Sequence, residues 1–266
     1  MEGAGSAVVR QARGSLARVH VVGMGEVGRR LASALAAAGV EVAPVTREQG
    51  WEGLDADRDG AVLVCVREEA LPALVPRLAV VAPERLAVVA NGWIRPLLAG
   101  FPGCTRGLIW FTAKSGFFRE LRPSVFSGPL ARPLAAALER GGIAAVAADE
   151  PAFLGAEAEK MGFNCVVGLP LAAHGVSLAE YLATRREEAE AVFGEAAGVT
   201  ARTLGVPASA AWWPAFLRSA EPIGWVKASG AKALEYRNAA VVRLARGLGA
   251  RAPVNERLLA AIGALA

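Results

Sequence analysis

The stretch Arg18-Val-His-Val-Val-Gly23-Met-Gly25-Glu-Val-Gly28 decides the fold of this 266-residue chain. Its first half is short, rich in β-branched residues and ends on glycine, which is how a buried strand reads. Its second half is a G-x-G-x-x-G loop made of Gly23, Met24, Gly25, Glu26, Val27 and Gly28. In such a loop the first glycine allows the tight turn, the second lets the backbone approach a pyrophosphate, and the third lets a helix pack on the strand. The motif is weak alone; its context is what makes it specific. Here a helix is predicted over residues 26–38, closed by Gly39, and a second strand over 40–45. The pyrophosphate would then sit at the positive end of that helix.

The residue after the second strand selects the nucleotide. A carboxylate there holds a ribose 2′-hydroxyl. This chain has Thr46-Arg47 instead. A guanidinium pairs with a 2′-phosphate that a carboxylate would repel, so the expected cofactor is NADPH/NADP. The alternative for Arg47 is an ordinary solvated loop side chain.

Further strands are predicted at 61–66 and 86–90, the latter running into Asn91-Gly92, and weaker ones at 107–112, 124–127 and 143–147. Strands alternating with helices imply parallel pairing with both sheet faces covered. After Asp149 the text becomes helical, broken by Gly-Val-Pro at 205–207 and Ala-Pro at 252–253. The fold class expected is α/β: an N-terminal Rossmann-type, mainly parallel sheet followed by a second, all-helical C-terminal domain. The expected division is a loose extension at 1–17, a nucleotide-binding domain at 18–150 and a helical substrate and dimerisation domain at 151–266.

With 54 % apolar and 20 % charged residues, the chain is composed like a compact globular protein. Its net charge of +4 is spread thinly, and no run of like charges gives a nucleic-acid footprint. Cys65, Cys104 and Cys165 lie far apart and only two histidines accompany them, so neither a disulfide framework nor a metal site is expected. A reducing, cytoplasmic setting follows from that usage. The first residues lack the apolar core of a signal peptide, and no apolar run is long enough to span a membrane.

Two segments of the second half carry a sharper pattern. Glu159-Lys160-Met-Gly-Phe-Asn164 opens the helical part, and Ala233-Leu-Glu235-Tyr-Arg-Asn238 leads to Gly249-Ala-Arg-Ala-Pro253-Val-Asn255. Lys160 and Asn164 are four apart and so share a helix face. A ketone reduction needs a hydride at carbon and a proton donor or cation at oxygen, and a partly buried lysine serves as either. The plainer reading of Glu157-Ala-Glu159-Lys160 is a solvated stripe on a surface helix. His174 reads first as structural, Trp212, Trp213 and Trp225 as helix packing, and Cys165 as a small hydrophobe.

Together these segments resemble the ketopantoate reductase family (2-dehydropantoate 2-reductases). That family has a Lys followed four residues on by Asn in its interdomain helix, a Thr-Glu-Ile-Asp-x-x-Asn-Gly segment, and a closing Gly-x-x-x-Pro-x-Asn. The resemblance runs from Arg18 to about Leu259 and is poorest over 51–83. It implies an NADPH-dependent reduction of a 2-oxo acid, ketopantoate or a relative, to a 2-hydroxy acid, within pantothenate biosynthesis. It implies Lys160 as general acid with Glu235 as catalytic partner, Asn91, Asn164 and Asn238 at the substrate, and the Gly23–Gly28 loop, Arg47 and Asn91 at the cofactor. It also implies a homodimer through the helical domain. Departures touch the substrate contacts: Gly168 replaces a second Asn, Ile223 and Gly224 stand near an expected Ser, Arg67 replaces a Lys, and Tyr236 stands where the Asp follows the family's Glu. Two rivals remain from the sequence: a pyrroline-carboxylate or imine reductase, and a non-catalytic NADPH-binding sensor.

Overall fold

The computed structural model describes residues 16–114, 116–228 and 233–264. The expected extension at 1–17 lies mostly outside them. Seven strands form the main sheet: β1 (Arg18–Val22), β2 (Glu41–Val45), β3 (Ala61–Val64), β4 (Leu86–Val88), β5 (Thr105–Leu108), β8 (Ser124–Ser127) and β9 (Ala145–Ala147). Their order is β2-β1-β3-β4-β5-β8-β9. The first five are mutually parallel; β8 runs antiparallel to β5 and parallel to β9. β3 and most of β1 are buried residue after residue, as a sheet covered on both faces requires. One face packs α1 (Glu26–Ala37) and α4 (Ala131–Arg140); the other packs α2 (Glu52–Ala56) and α3 (Leu71–Leu78).

One expected strand was wrong in extent. Residues 107–112 are not a single strand. β5 ends at Leu108, and β6 (Phe111–Lys114) pairs with β7 (Phe117–Glu120) in a separate hairpin. Between them Trp110 leaves the sheet and packs into the core of the helical half, its backbone N–H donating to Ser124 Oγ at 3.1 Å. An apolar run read by periodicity alone cannot register that the chain changes sheets halfway.

From Glu150 onward the described residues hold helices and one isolated bridge, Ser177 with Lys227. They are α5 (Glu150–Val166), α6 (Leu169–His174), α7 (Leu178–Thr184), α8 (Arg186–Leu204), α9 (Trp212–Ala220), α10 (Asn238–Gly247) and α11 (Pro253–Ala261). Asp149 caps α5 by accepting the Ala152 N–H, with Pro151 in the first turn. α5 and α8 cross closely because Gly162 leaves room for the Phe193 ring, which a Cβ would meet at 2.8 Å. No helix among the described residues is long and apolar enough to cross a membrane.

Candidate functional site

The Gly-rich loop has the three features a pyrophosphate cradle needs. Gly23 turns with φ +93°, and a Cβ there would meet Val66 at 2.7 Å. Gly25 faces open space, with nothing within 4 Å of where a Cβ would stand. Gly28 packs so tightly that a Cβ would lie 2.0 Å from the Gly23 carbonyl oxygen. Gly25 is the N-cap of the twelve-residue α1 and supplies no capping side chain, so the first N–H groups of that helix are left for an anion. These residues fit a dinucleotide. The adjoining cleft, about 300 Å³, is lined by Gly25 to Val27, Cys65 to Glu69, Val89 to Asn91, Ala233 and Arg237. Cys65 forms part of its wall; burial pushes that thiol's pKa up, which keeps it a small hydrophobe. Arg47 sits exposed in the turn after β2, where Gln49 N–H donates to Thr46 Oγ1 at 3.1 Å.

A substitution tests the tightest of these contacts. Gly28→Ala must displace backbone and not a flexible side-chain end, so it is expected to abolish measurable dinucleotide binding by fluorescence titration.

Lys160 is not on a solvated stripe. Glu157, Glu159 and Lys160 are 5 %, 7 % and 6 % exposed, on the face of α5 that meets the sheet half. Glu157 receives Arg95 at 2.7 Å and also Arg106. Glu159 receives Arg122 at 2.7 Å. Lys160 has no such partner among the described residues. Its Nζ lies over the rings of Trp110 at 4.0 Å and Phe163 at 4.6 Å, while the Arg122 guanidinium sits 3.3 Å from the centre of the Trp110 ring. Burial, reinforced by Arg122 and Arg237, drives the Lys160 pKa well below the ordinary lysine value.

Lys160 and Asn164 share a cavity of only about 10 Å³ with Gly92, Trp93, Leu108, Glu157, Met161 and Thr200. Asn164 Nδ2 and Thr200 Oγ1 are buried there without hydrogen-bond partners, which is costly unless a ligand or water satisfies them. The Asn91-Gly92-Trp93 segment separates this cavity from the loop cleft and touches both. Trp93 N–H donates to the Tyr236 carbonyl at 2.6 Å, and Gly92, with φ +74°, leaves no room for a side chain against that same oxygen. Lys160 lines this small cavity and not the cleft beside the Gly-rich loop, while the consecutive residues Asn91 and Gly92 line one space each.

Two other expected site residues stand elsewhere. Asn238 is fully buried and donates to Asn255 Oδ1 at 2.8 Å and to the Cys165 carbonyl at 3.2 Å. Asn255 in turn donates to Glu195, which also accepts the N–H groups of Val254 and Asn255 at the start of α11. The closing Pro253-Val-Asn255 motif thus forms a helix-end network, and Asn238 is held by it. Glu235 is exposed, and it is not among the leading charges acting on Lys160. Counted back from Asn238, the family spacing Thr-Glu-Ile-Asp-x-x-Asn puts the motif's Glu at Ala233 and its Asp at Glu235. Ala233 is the residue that is buried and lines the cleft, with φ +52°. His174 is structural as expected, paired to Glu188 at 2.7 Å.

Sequence reading missed Glu68, Trp110, Arg122, Thr200 and Arg237. Only Arg237 lay in a segment with a pattern. The Glu68 carboxylate is buried and binds Arg237 at 2.8 Å across the two halves.

No protein-family model matches the sequence, and no curated protein matches it. Solved structures do match in fold. A PanE/ApbA family ketopantoate reductase from Ralstonia eutropha JMP134 superposes with a TM-score of 0.73 at 20 % identity, over 91 % of this chain and 96 % of that one. A D-mandelate dehydrogenase in a ternary structure with NADH and anilino(oxo)acetate gives 0.73 at 14 % identity, over 93 % and 97 %. A dimeric ketopantoate reductase from Staphylococcus aureus gives 0.70 at 16 % identity, over 91 % and 96 %. The chain has the two-part fold of these enzymes.

Proposed function

We propose that this chain, built on the ketopantoate reductase fold, is an NADPH-dependent reductase that converts a 2-oxo acid to a 2-hydroxy acid. One observation carries the reading: a buried lysine with no carboxylate partner stands beside the segment that borders a dinucleotide cradle. A buried, unmatched cation is expensive to keep, and such groups cluster where chemistry needs them. The division into 18–150 and 151–266, and a homodimer through the helical part, belong to the same proposal.

Bound at the Gly-rich loop, a reduced nicotinamide supplies the hydride. The chain's own residues do the rest. The N–H groups opening α1 hold the pyrophosphate, and Arg47 takes the 2′-phosphate. Lys160 stabilises the negative charge growing on the substrate oxygen and gives it a proton. Asn91 and Asn164 orient the substrate, Asn164 through the Nδ2 that has no partner in the fold. Substrate enters when the Trp93–Tyr236 contact parts, since a cavity of about 10 Å³ holds no more than about one water.

Monitoring NADPH oxidation against a panel of 2-oxo acids and imines tests this reading; turnover of imines alone, or of nothing, overturns it. Cofactor choice has its own test. NADPH is expected to bind more tightly than NADH, and Arg47→Ala to remove about 1–3 kcal/mol of that difference. Equal affinities in the unaltered protein would rule out the role given to Arg47.

A further inference from the structure

Among the described residues no carboxylate pairs with Lys160. Arg122 is matched by Glu159 and Arg237 by Glu68, while Lys160 faces aromatic rings. A substrate carboxylate entering this space would restore the balance. The question is which side chain receives it.

Resting on the 2-oxo acid reading, we propose that Arg237 is the substrate-carboxylate receptor and that Glu68 is the residue that positions it. Arg237 lines the same cleft as Gly25 to Val27 and Asn91. It is close enough to Lys160 to lower that lysine's proton affinity. Its Nε and Nη2 both donate to a single oxygen of Glu68, at 3.3 and 2.8 Å. That leaves the end of the guanidinium, Nη1 with the second hydrogen of Nη2, and among the described residues Nη1 donates to no acceptor. This end is the edge that takes a carboxylate in two parallel hydrogen bonds.

The competing cations are less suited. The Arg122 guanidinium is stacked on Trp110, and its Nε and Nη2 are buried away from any partner. Arg67 lines the cleft but is exposed and unanchored. Of these three, Arg237 is the one that combines a guanidinium held by a buried carboxylate with an end that donates to no acceptor among the described residues, in the cleft beside the Gly-rich loop. Its anchor also has the right register: Glu68 follows β3 in the sheet half, so the receptor is fixed only when the two halves are together.

The probe is oxamate, an isostere of a small 2-oxo acid, titrated calorimetrically into the full-length protein saturated with NADPH, with neutral oxamide as the control. The unaltered protein is expected to prefer oxamate strongly. Arg237→Met is expected to lose about 10²-fold in oxamate affinity, the loss typical of a charge-assisted pair, and to leave oxamide unchanged. Arg237→Lys, which keeps the charge, is expected to regain part of the preference. If Arg237 only braces the two halves, Glu68→Gln and Arg237→Met will lower the melting temperature alike, and oxamate will still be preferred in Arg237→Met; that pattern overturns the inference and leaves the reductase reading intact. Failure of the unaltered protein to bind oxamate, together with no turnover of any 2-oxo acid, overturns both.

Discussion

For the proposed 2-oxo acid reduction, Lys160→Ala is expected to lower kcat/KM by about 10²–10⁴-fold and to leave NADPH affinity nearly unchanged, through loss of the proton donor at the developing alkoxide. Steady-state kinetics and fluorescence titration measure the two quantities on the same preparation. Lys160→Arg rescues poorly, because a guanidinium keeps its proton and does not fit between Trp110 and Phe163. The same burial that tunes the lysine gives the prediction a second sign. The folded pKa is lowered, so the folded state binds fewer protons than the unfolded chain up to the ordinary lysine value. The cost is then present in full below the folded pKa and is relieved as pH rises towards the unfolded one. Lys160→Met removes that cost, so at neutral pH this inactive variant is expected to melt at or above the temperature of the active protein. Activity runs the other way: kcat/KM falls as pH rises through the lowered pKa, because the donor is lost. Arg122→Gln removes the largest cationic contribution and moves that limb to higher pH. A buried lysine with no part in the chemistry would show the same stability effect but no moving limb in the activity profile.

The parts of this molecule legible in the sequence are those encoded locally. The strand–loop–helix at Arg18 to Ala37 is specified by a β-branched run, three glycines and an amphipathic helix, all within twenty residues of chain. The change to helices after Asp149 is likewise written in a cap, a proline and helical spacing. The site is legible only where two of its residues share one helix face, as Lys160 and Asn164 do. Its remaining members come from five separate places: Glu68 after β3, Trp110 between two sheets, Arg122 after the hairpin, Thr200 on α8 and Arg237 before α10. Nothing in a sequence pattern joins residues that meet only through tertiary packing. The Glu235 error has a different cause. The segment resembles that family in composition, but Glu235 stands three positions before Asn238 where the family's Glu stands five before its Asn, and only the burial of Ala233 beside the exposure of Glu235 shows the offset.

Glu157→Ala is expected to destabilise the protein by roughly 3 kcal/mol, the scale for removing one partner of a buried ion pair. The carboxylate is 5 % exposed and holds two guanidinium groups, Arg95 from the turn after Asn91 and Arg106 from β5. Removing it leaves two positive charges facing each other at the junction of sheet and α5. Part of the loss is softened because Arg95 keeps 30 % of its side chain in water. Glu157→Gln keeps the shape and one acceptor and should lose less, which separates charge from packing. The pH dependence follows from the same contacts. Burial opposes the charged form of Glu157, but the hydrogen bonds and charges of Arg106 and Arg95 outweigh it and hold the pKa below the usual glutamate value. The stabilisation is therefore complete above the unfolded pKa, near 4.5, and is lost as pH falls through the lower folded value. Denaturant titrations of the unaltered protein and Glu157→Gln should therefore differ most at neutral pH and converge in acid. A gap that stayed constant down to the acid transition would mean that Glu157 acts by packing alone. In that case the ionic seam would not be what holds α5, and with it Lys160, against the sheet.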